Sequence, residues 1–146
     1  MDQRDVGRSV SPEDIAAAWD YALEYYGEGV KEVLGPLAEY RPEVFHGYIT
    51  LRQAAFNTGP DAALPAKTKE LIILAIEIAT RKTSPPPVGH TRRAMAAGAT
   101  VQEIAEVVSL CLMIGGMLTY HEAGWPVLQL AREIDAGRSA PSNAER

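Results

Sequence analysis

One stretch limits what this chain can fold into. From Lys67 to Thr80 it reads KTKELIILAIEIAT, an apolar run whose only acids are Glu70 and Glu77. At this length the run predicts a helix with no polar face to offer water, buried on most sides by its own domain or by a partner subunit. Directly after it, Thr83-Ser84-Pro85-Pro86-Pro87 cannot continue a helix. Three prolines remove three donors and restrict the residue before each. The run must stop there, at a turn the prolines make rigid.

The flanking segments are helical too. Ser11, Pro12 and Asp14 form a helix start: a capping hydroxyl, a proline at the first position and an acid in the first turn. Ile15, Trp19, Ala22, Tyr26, Val30, Val33 and Leu34 follow at three- and four-residue steps. Gly27 and Gly29 are expected to break this helix in two, and Gly35-Pro36 to end it. Pro42 opens a helix whose apolar residues mix two faces, and residues 57–61 form a loop. Beyond the prolines a short helix spans roughly 88–97 and stops at Gly98. Thr100 and Glu103 make a capping box for the helix that runs to about Tyr120. The pair Gly115-Gly116 lies inside that helix and predicts either close approach of a backbone or ligand, or a kink. A last helix spans about 125–136. No strand pattern and no internal repeat competes, so the fold class is all-α. The organisation expected is a polar arm over 1–10, one helical domain over 11–136 and a disordered tail over 137–146.

Composition narrows the function. The chain has 146 residues, enough to bury the core of one domain, and a net charge of −5 without a basic run. That disfavours nucleic acid, whose phosphates demand concentrated Lys and Arg. The longest uncharged stretch, residues 107–120, is too short to span a bilayer, and the charged N-terminus has no signal-peptide core. No membrane association is expected, and the setting expected is the cytoplasm. Cys111 is the single cysteine, so no intrachain disulfide forms.

Lys67-Thr-Lys-Glu70-Leu-Ile-Ile-Leu-Ala, a turn ending in His90, then Ala94-x-x-x-Gly98-Ala-Thr100-x-x-Glu103-Ile-x-Glu106-Val resembles the carboxymuconolactone decarboxylase family. This family includes the alkyl hydroperoxidase D type. The segment Gly115-Gly116-Met-Leu-Thr-Tyr120 resembles it as well, and the likeness covers about residues 40–132. The resemblance implies an alkyl hydroperoxidase D-like helical bundle whose central helical hairpin builds the site. It also implies homotrimers or homohexamers with sites near subunit contacts. The peroxidase branch carries a Cys-x-x-Cys-x-x-x-His motif. Its cysteine positions fall on Thr83 and Pro86 here, so both thiols are missing. A peroxidatic cycle needs one thiol to be oxidised and a second to resolve it, and Cys111 stands alone.

The candidate chemistry gathers around the apolar run. Glu70, at the family's acidic position, is either a general base or a first-turn acid that stabilises the helix N-terminus. Glu77, seven residues on and on nearly the same face, must be paired, protonated or facing a cavity. Arg81, Lys82 and a subunit neighbour are its structural partners of choice. His90 aligns with the family histidine and is either a proton shuttle or a hydrogen-bonded structural residue. Arg93, or Arg92 beside it, could clasp a substrate carboxylate. Thr83 and Ser84 put hydroxyls where the thiols would be. Tyr120 and His121 are expected to line the pocket. A metal among His46, His90 and His121 lacks ligand spacing, so neither metal nor cofactor is expected.

The leading expectation is a cofactor-free lyase, a decarboxylase of a small organic acid. His90, Arg93 and Thr83 would stabilise enolate charge, and protonated Glu70 or Glu77 would deliver the proton. The rival is a non-catalytic oligomeric ligand-binding or scaffold protein. A thiol peroxidase comes a distant third.

Overall fold

Side-chain capping sets where the first helix begins. The Ser11 hydroxyl accepts from the Asp14 N–H at 3.1 Å, and the Asp14 carboxylate accepts from the Ser11 N–H at 3.2 Å. A computed structural model describes residues 10–57, 59–82 and 87–139 of the chain. Seven helices stand among them: α1 (Pro12–Tyr26), α2 (Val30–Tyr40), α3 (Pro42–Ala55), α4 (Ala66–Ala79), α5 (Val88–Ala96), α6 (Val101–Thr119) and α7 (Trp125–Ser139). A π-helical turn, Tyr120–Gly124, joins the last two. No strand occurs among the described residues. They divide between residues 57 and 58 into two compact units.

The first unit is α1 to α3. The expected break falls at Gly27, whose φ of 78° is in the left-handed region that favours glycine. The expected stop at Gly35-Pro36 does not occur, and α2 carries Pro36 inside it and runs on to Tyr40. Packing outweighs the lost backbone bond, because Leu34, Leu37 and Ala38 lie against the core. That core is Ala18, Ala22, Val30, Phe45 and Ile49, with the Trp19 and Phe45 rings 4.6 Å apart. The mixed faces of α3 now separate. Phe45, Ile49 and Arg52 are buried, whereas Val44, Tyr48 and Leu51 are exposed.

The second unit packs α4 against α5 and α6, and α7 against α5 and α6. Leu74, Ile78, Met95, Ile104, Val108, Ala123, Val127 and Ala131 form its core. The Thr100–Glu103 capping box forms as its residues predict, with Thr100 N–H donating to Glu103 at 2.8 Å. Lys67 bridges to the same Glu103 carboxylate at 2.7 Å and ties the start of α4 to the start of α6.

The glycine pair resolves as a kink. Gly116 takes φ 75° and ψ −179° inside α6, where only glycine is unstrained. Gly115 is also crowded, since an added Cβ would collide with the Thr119 side chain, and a further close approach falls at Gly124, where a Cβ would stand 2.9 Å from Val108 Cγ1. Residues 101–138 form one helical stretch whose most apolar 18-residue window has a mean hydropathy of 1.6, enough by length and composition to cross a membrane. The expectation above counted only the uncharged residues 107–120. One face of the stretch, through Ile104, Val108 and Cys111, lies in the core of the second unit. Another face is apolar and open: Leu110, Met113, Ile114, Met117 and Leu118 are all more than half exposed.

Candidate acid–base site

Helix α4 is apolar, yet its buried face carries two carboxylates. Glu70, Leu74, Glu77 and Ile78 are its buried residues, as the seven-residue spacing of the two acids requires on a helix. Glu70 lies beyond the first turn of α4, which contains no acid. Its carboxylate is spent on side chains of α5. Oε2 is 2.7 Å from His90 Nδ1, and Oε1 is 3.4 Å from Arg93 Nε. All three side chains are largely buried, at 6% exposure for Glu70, 15% for His90 and 24% for Arg93. At that burial an ionised carboxylate needs cationic or N–H partners, and each of its oxygens has one.

Short-range structure explains how α5 presents this pair. His90 and Arg93 are three residues apart, so both point to one side of the helix. Thr91 is fully buried and its hydroxyl donates to the Pro87 carbonyl at 2.7 Å, fixing the first turn. Gly89 leaves the room that Arg93 needs, since a Cβ there would lie 3.1 Å from Arg93 Nη1. Gly89 carries no signal in a single sequence, because nothing local marks it as the floor beneath a guanidinium.

Glu77 stands apart from this cluster. Its Oε1 accepts from Lys82 Nζ at 3.0 Å, and its Oε2 is buried without a hydrogen-bond partner. The structural alternative for this residue is therefore realised with Lys82. Arg81 turns elsewhere, with φ 52° and its guanidinium 3.7 Å from Glu122. Tyr120 packs partly buried against the core from the π turn. His121 is solvent-exposed, with its ring 5.8 Å from that of Tyr120 and edge-on to it. Thr83 and Ser84 lie outside the described residues. No group of three or more His, Cys, Asp or Glu suited to a metal occurs among the described residues. An apolar cavity of about 110 Å³ lies between α5 and α7, lined by Pro87, Val88, Thr91, Pro126, Val127 and Leu130. Val88 and Thr91 sit on a different side of α5 from His90 and Arg93, at about 100° per residue.

Cys111 is buried at 6% exposure, and its thiol donates to the Ala75 carbonyl at 3.5 Å. Burial pushes its pKa up, away from the thiolate that redox chemistry uses.

What the cluster can do chemically follows from its protonation geometry. A carboxylate that accepts from Nδ1–H fixes the orientation of the imidazole and the nitrogen that carries that proton. Proton exchange with a bound molecule then falls to Nε2. The guanidinium beside it offers charge to a developing oxyanion.

Comparison with known proteins gives the family and the fold. The sequence profile of the carboxymuconolactone decarboxylase family matches residues 42–129, from the start of α3 into α7. Among solved structures, a Burkholderia xenovorans LB400 protein provisionally named a carboxymuconolactone decarboxylase is similar in fold. The TM-score is 0.72 at 31% identity, over 89% of this chain and 100% of that one. No curated protein matches the sequence.

Proposed function

The chain belongs to the carboxymuconolactone decarboxylase family, and from that premise we propose that it is a cofactor-free lyase acting on a small organic acid by acid–base chemistry. The observation that carries this reading is the buried Glu70 carboxylate shared between His90 and Arg93. In a carboxylate conjugated to a carbonyl, the bond to CO₂ breaks and its electron pair moves onto the carbonyl oxygen. Arg93 stabilises that enolate charge, and protonated His90 then delivers a proton to carbon as the carbonyl re-forms. Glu70 is assigned no proton transfer, because both of its oxygens are engaged, one by His90 and the other by Arg93. Its role is to orient His90 by accepting from the Nδ1–H. Glu77, paired with Lys82, has no part in the step.

The proposed assembly is a homotrimer or homohexamer in the cytoplasm. Ile72 and Ile76 on α4 are exposed, as are Leu110, Met113 and Ile114 on α6. An open hollow of about 280 Å³ between these helices is lined by Ala75, Ile76, Ala79, Leu110, Cys111 and Ile114. An apolar surface of this kind is what a second copy covers.

A non-catalytic ligand-binding or scaffold protein is the second reading, favoured by the Glu77–Lys82 pair and by the same apolar face. The test is CO₂ release from a panel of small 3-oxo acids and carboxylactones by the purified chain. His90→Gln should lower turnover about 10²- to 10⁴-fold with the fold intact. Equal turnover in that variant, or none from any acid with the wild type, would leave the scaffold reading standing.

A further inference from the structure

Among the described residues of the first unit, one buried cation has a guanidinium edge without an acceptor. Arg52 is 9% exposed, and its Nε and Nη2 are buried without hydrogen-bond partners. Those two atoms form one edge of the guanidinium, the edge that clasps a carboxylate through two parallel N–H···O bonds. The flat faces are accounted for. The guanidinium carbon lies 3.8 Å from the Tyr25 ring centre, 4.3 Å from that of Phe56 and 4.8 Å from that of Tyr26. Stacking on rings satisfies charge but accepts no N–H in the plane of the fork.

The neighbouring phenols do not supply the missing anion. Tyr26 and Tyr48 are joined hydroxyl to hydroxyl at 2.8 Å. Burial, then the bond to Tyr48, pushes the Tyr26 phenol far above its ordinary value despite Arg52, so it stays neutral. The Tyr26–Tyr48 pair faces an open cleft of about 290 Å³ whose other walls include Val30, Val33 and Leu34. Tyr26 thus both lines that cleft and stacks on the arginine. Because Nε and Nη2 are buried, an occupant must displace a side chain to reach them.

We propose that this unit carries a binding site for a small planar carboxylate, with Arg52 as the bidentate anchor and Tyr25, Tyr26 and Phe56 as its aromatic walls. The fork sets the charge and geometry of the ligand, and the rings favour a flat, partly apolar body. Glu70, His90 and Arg93 all belong to the other unit.

Benzoate is the probe, with benzyl alcohol as its uncharged counterpart. In the full chain labelled with nitrogen-15, the Arg52 Nε–H resonance should shift saturably with benzoate and stay still with benzyl alcohol. Arg52→Lys, which keeps the charge and loses the fork, should weaken benzoate binding about ten-fold or more. Glu70→Gln should leave that affinity unchanged. An Arg52 resonance that does not move, a shift confined to Arg93, or equal response to both probes would overturn the proposal. The wild-type titration decides the matter even if Arg52→Lys folds poorly.

Discussion

At the scale of single residues, partners decide what each ionisable group is for. Glu70 and Glu77 share a helix face and a degree of burial, yet Glu70 meets two groups of α5 and Glu77 meets one lysine. Lys82 is 53% exposed, so releasing it costs little. Glu77→Gln should therefore change stability by less than about 1 kcal/mol in chemical denaturation, and leave ligand response intact. A loss of roughly 3–5 kcal/mol would mean that the pair is sealed from water. Cys111 gives a prediction in pH. Its thiol pKa is raised by burial, so the unfolded chain deprotonates first, and the associated stability is present below about pH 8.5 and fades above it. Denaturation of Cys111→Ala from pH 7 to 10 should show a shallower alkaline decline than the wild type. Iodoacetamide should alkylate native Cys111 slowly and the unfolded chain fast. Rapid native alkylation would contradict the buried, raised thiol.

At the scale of elements, glycine positions separate two effects that look alike in a sequence. Gly116 is required for its backbone angle, and no atom approaches where its Cβ would be. Gly124 is required for space, because the π turn presses on α6 at Val108. Gly124→Ala should cost about 1–3 kcal/mol through that contact. Combining it with Val108→Ala should return part of the loss, a coupling readable in a double-mutant cycle. Strict additivity would mean that the turn shifts freely. The capping boxes of α1 and α6 needed no such context. Each lies within four consecutive residues; that of α6 forms as its spacing predicts, and at α1 the expected Ser11 cap is joined by the return bond to Asp14.

At the scale of the whole molecule, the proposed assembly rests on the open apolar faces of α4 and α6. Sedimentation at micromolar concentration should find oligomers and no folded monomer. Ile114→Glu, at a residue 79% exposed, should disperse them while leaving the helical signal of the chain in place. A wild-type chain that sediments as a stable monomer without detergent would remove the assembly from the proposal. Association through a lipid surface instead would show as binding to neutral vesicles, lost in the same variant.

The chain alone determined its helices and most of their ends, because periodicity, caps and proline act over a few residues. It also marked Glu70 and His90 through the resemblance, and Arg93 as a neighbour on the turn after His90. Packing decided the rest. Pro36 stayed inside a helix because the neighbouring side chains had a core to enter. Glu77 found Lys82 rather than the Glu70 cluster, and His121 faced water, because the π turn sets its direction. Gly89, Gly124 and Arg52 carried no signal in the sequence. Their importance lies in what stands opposite them, and only the folded chain brings those atoms together.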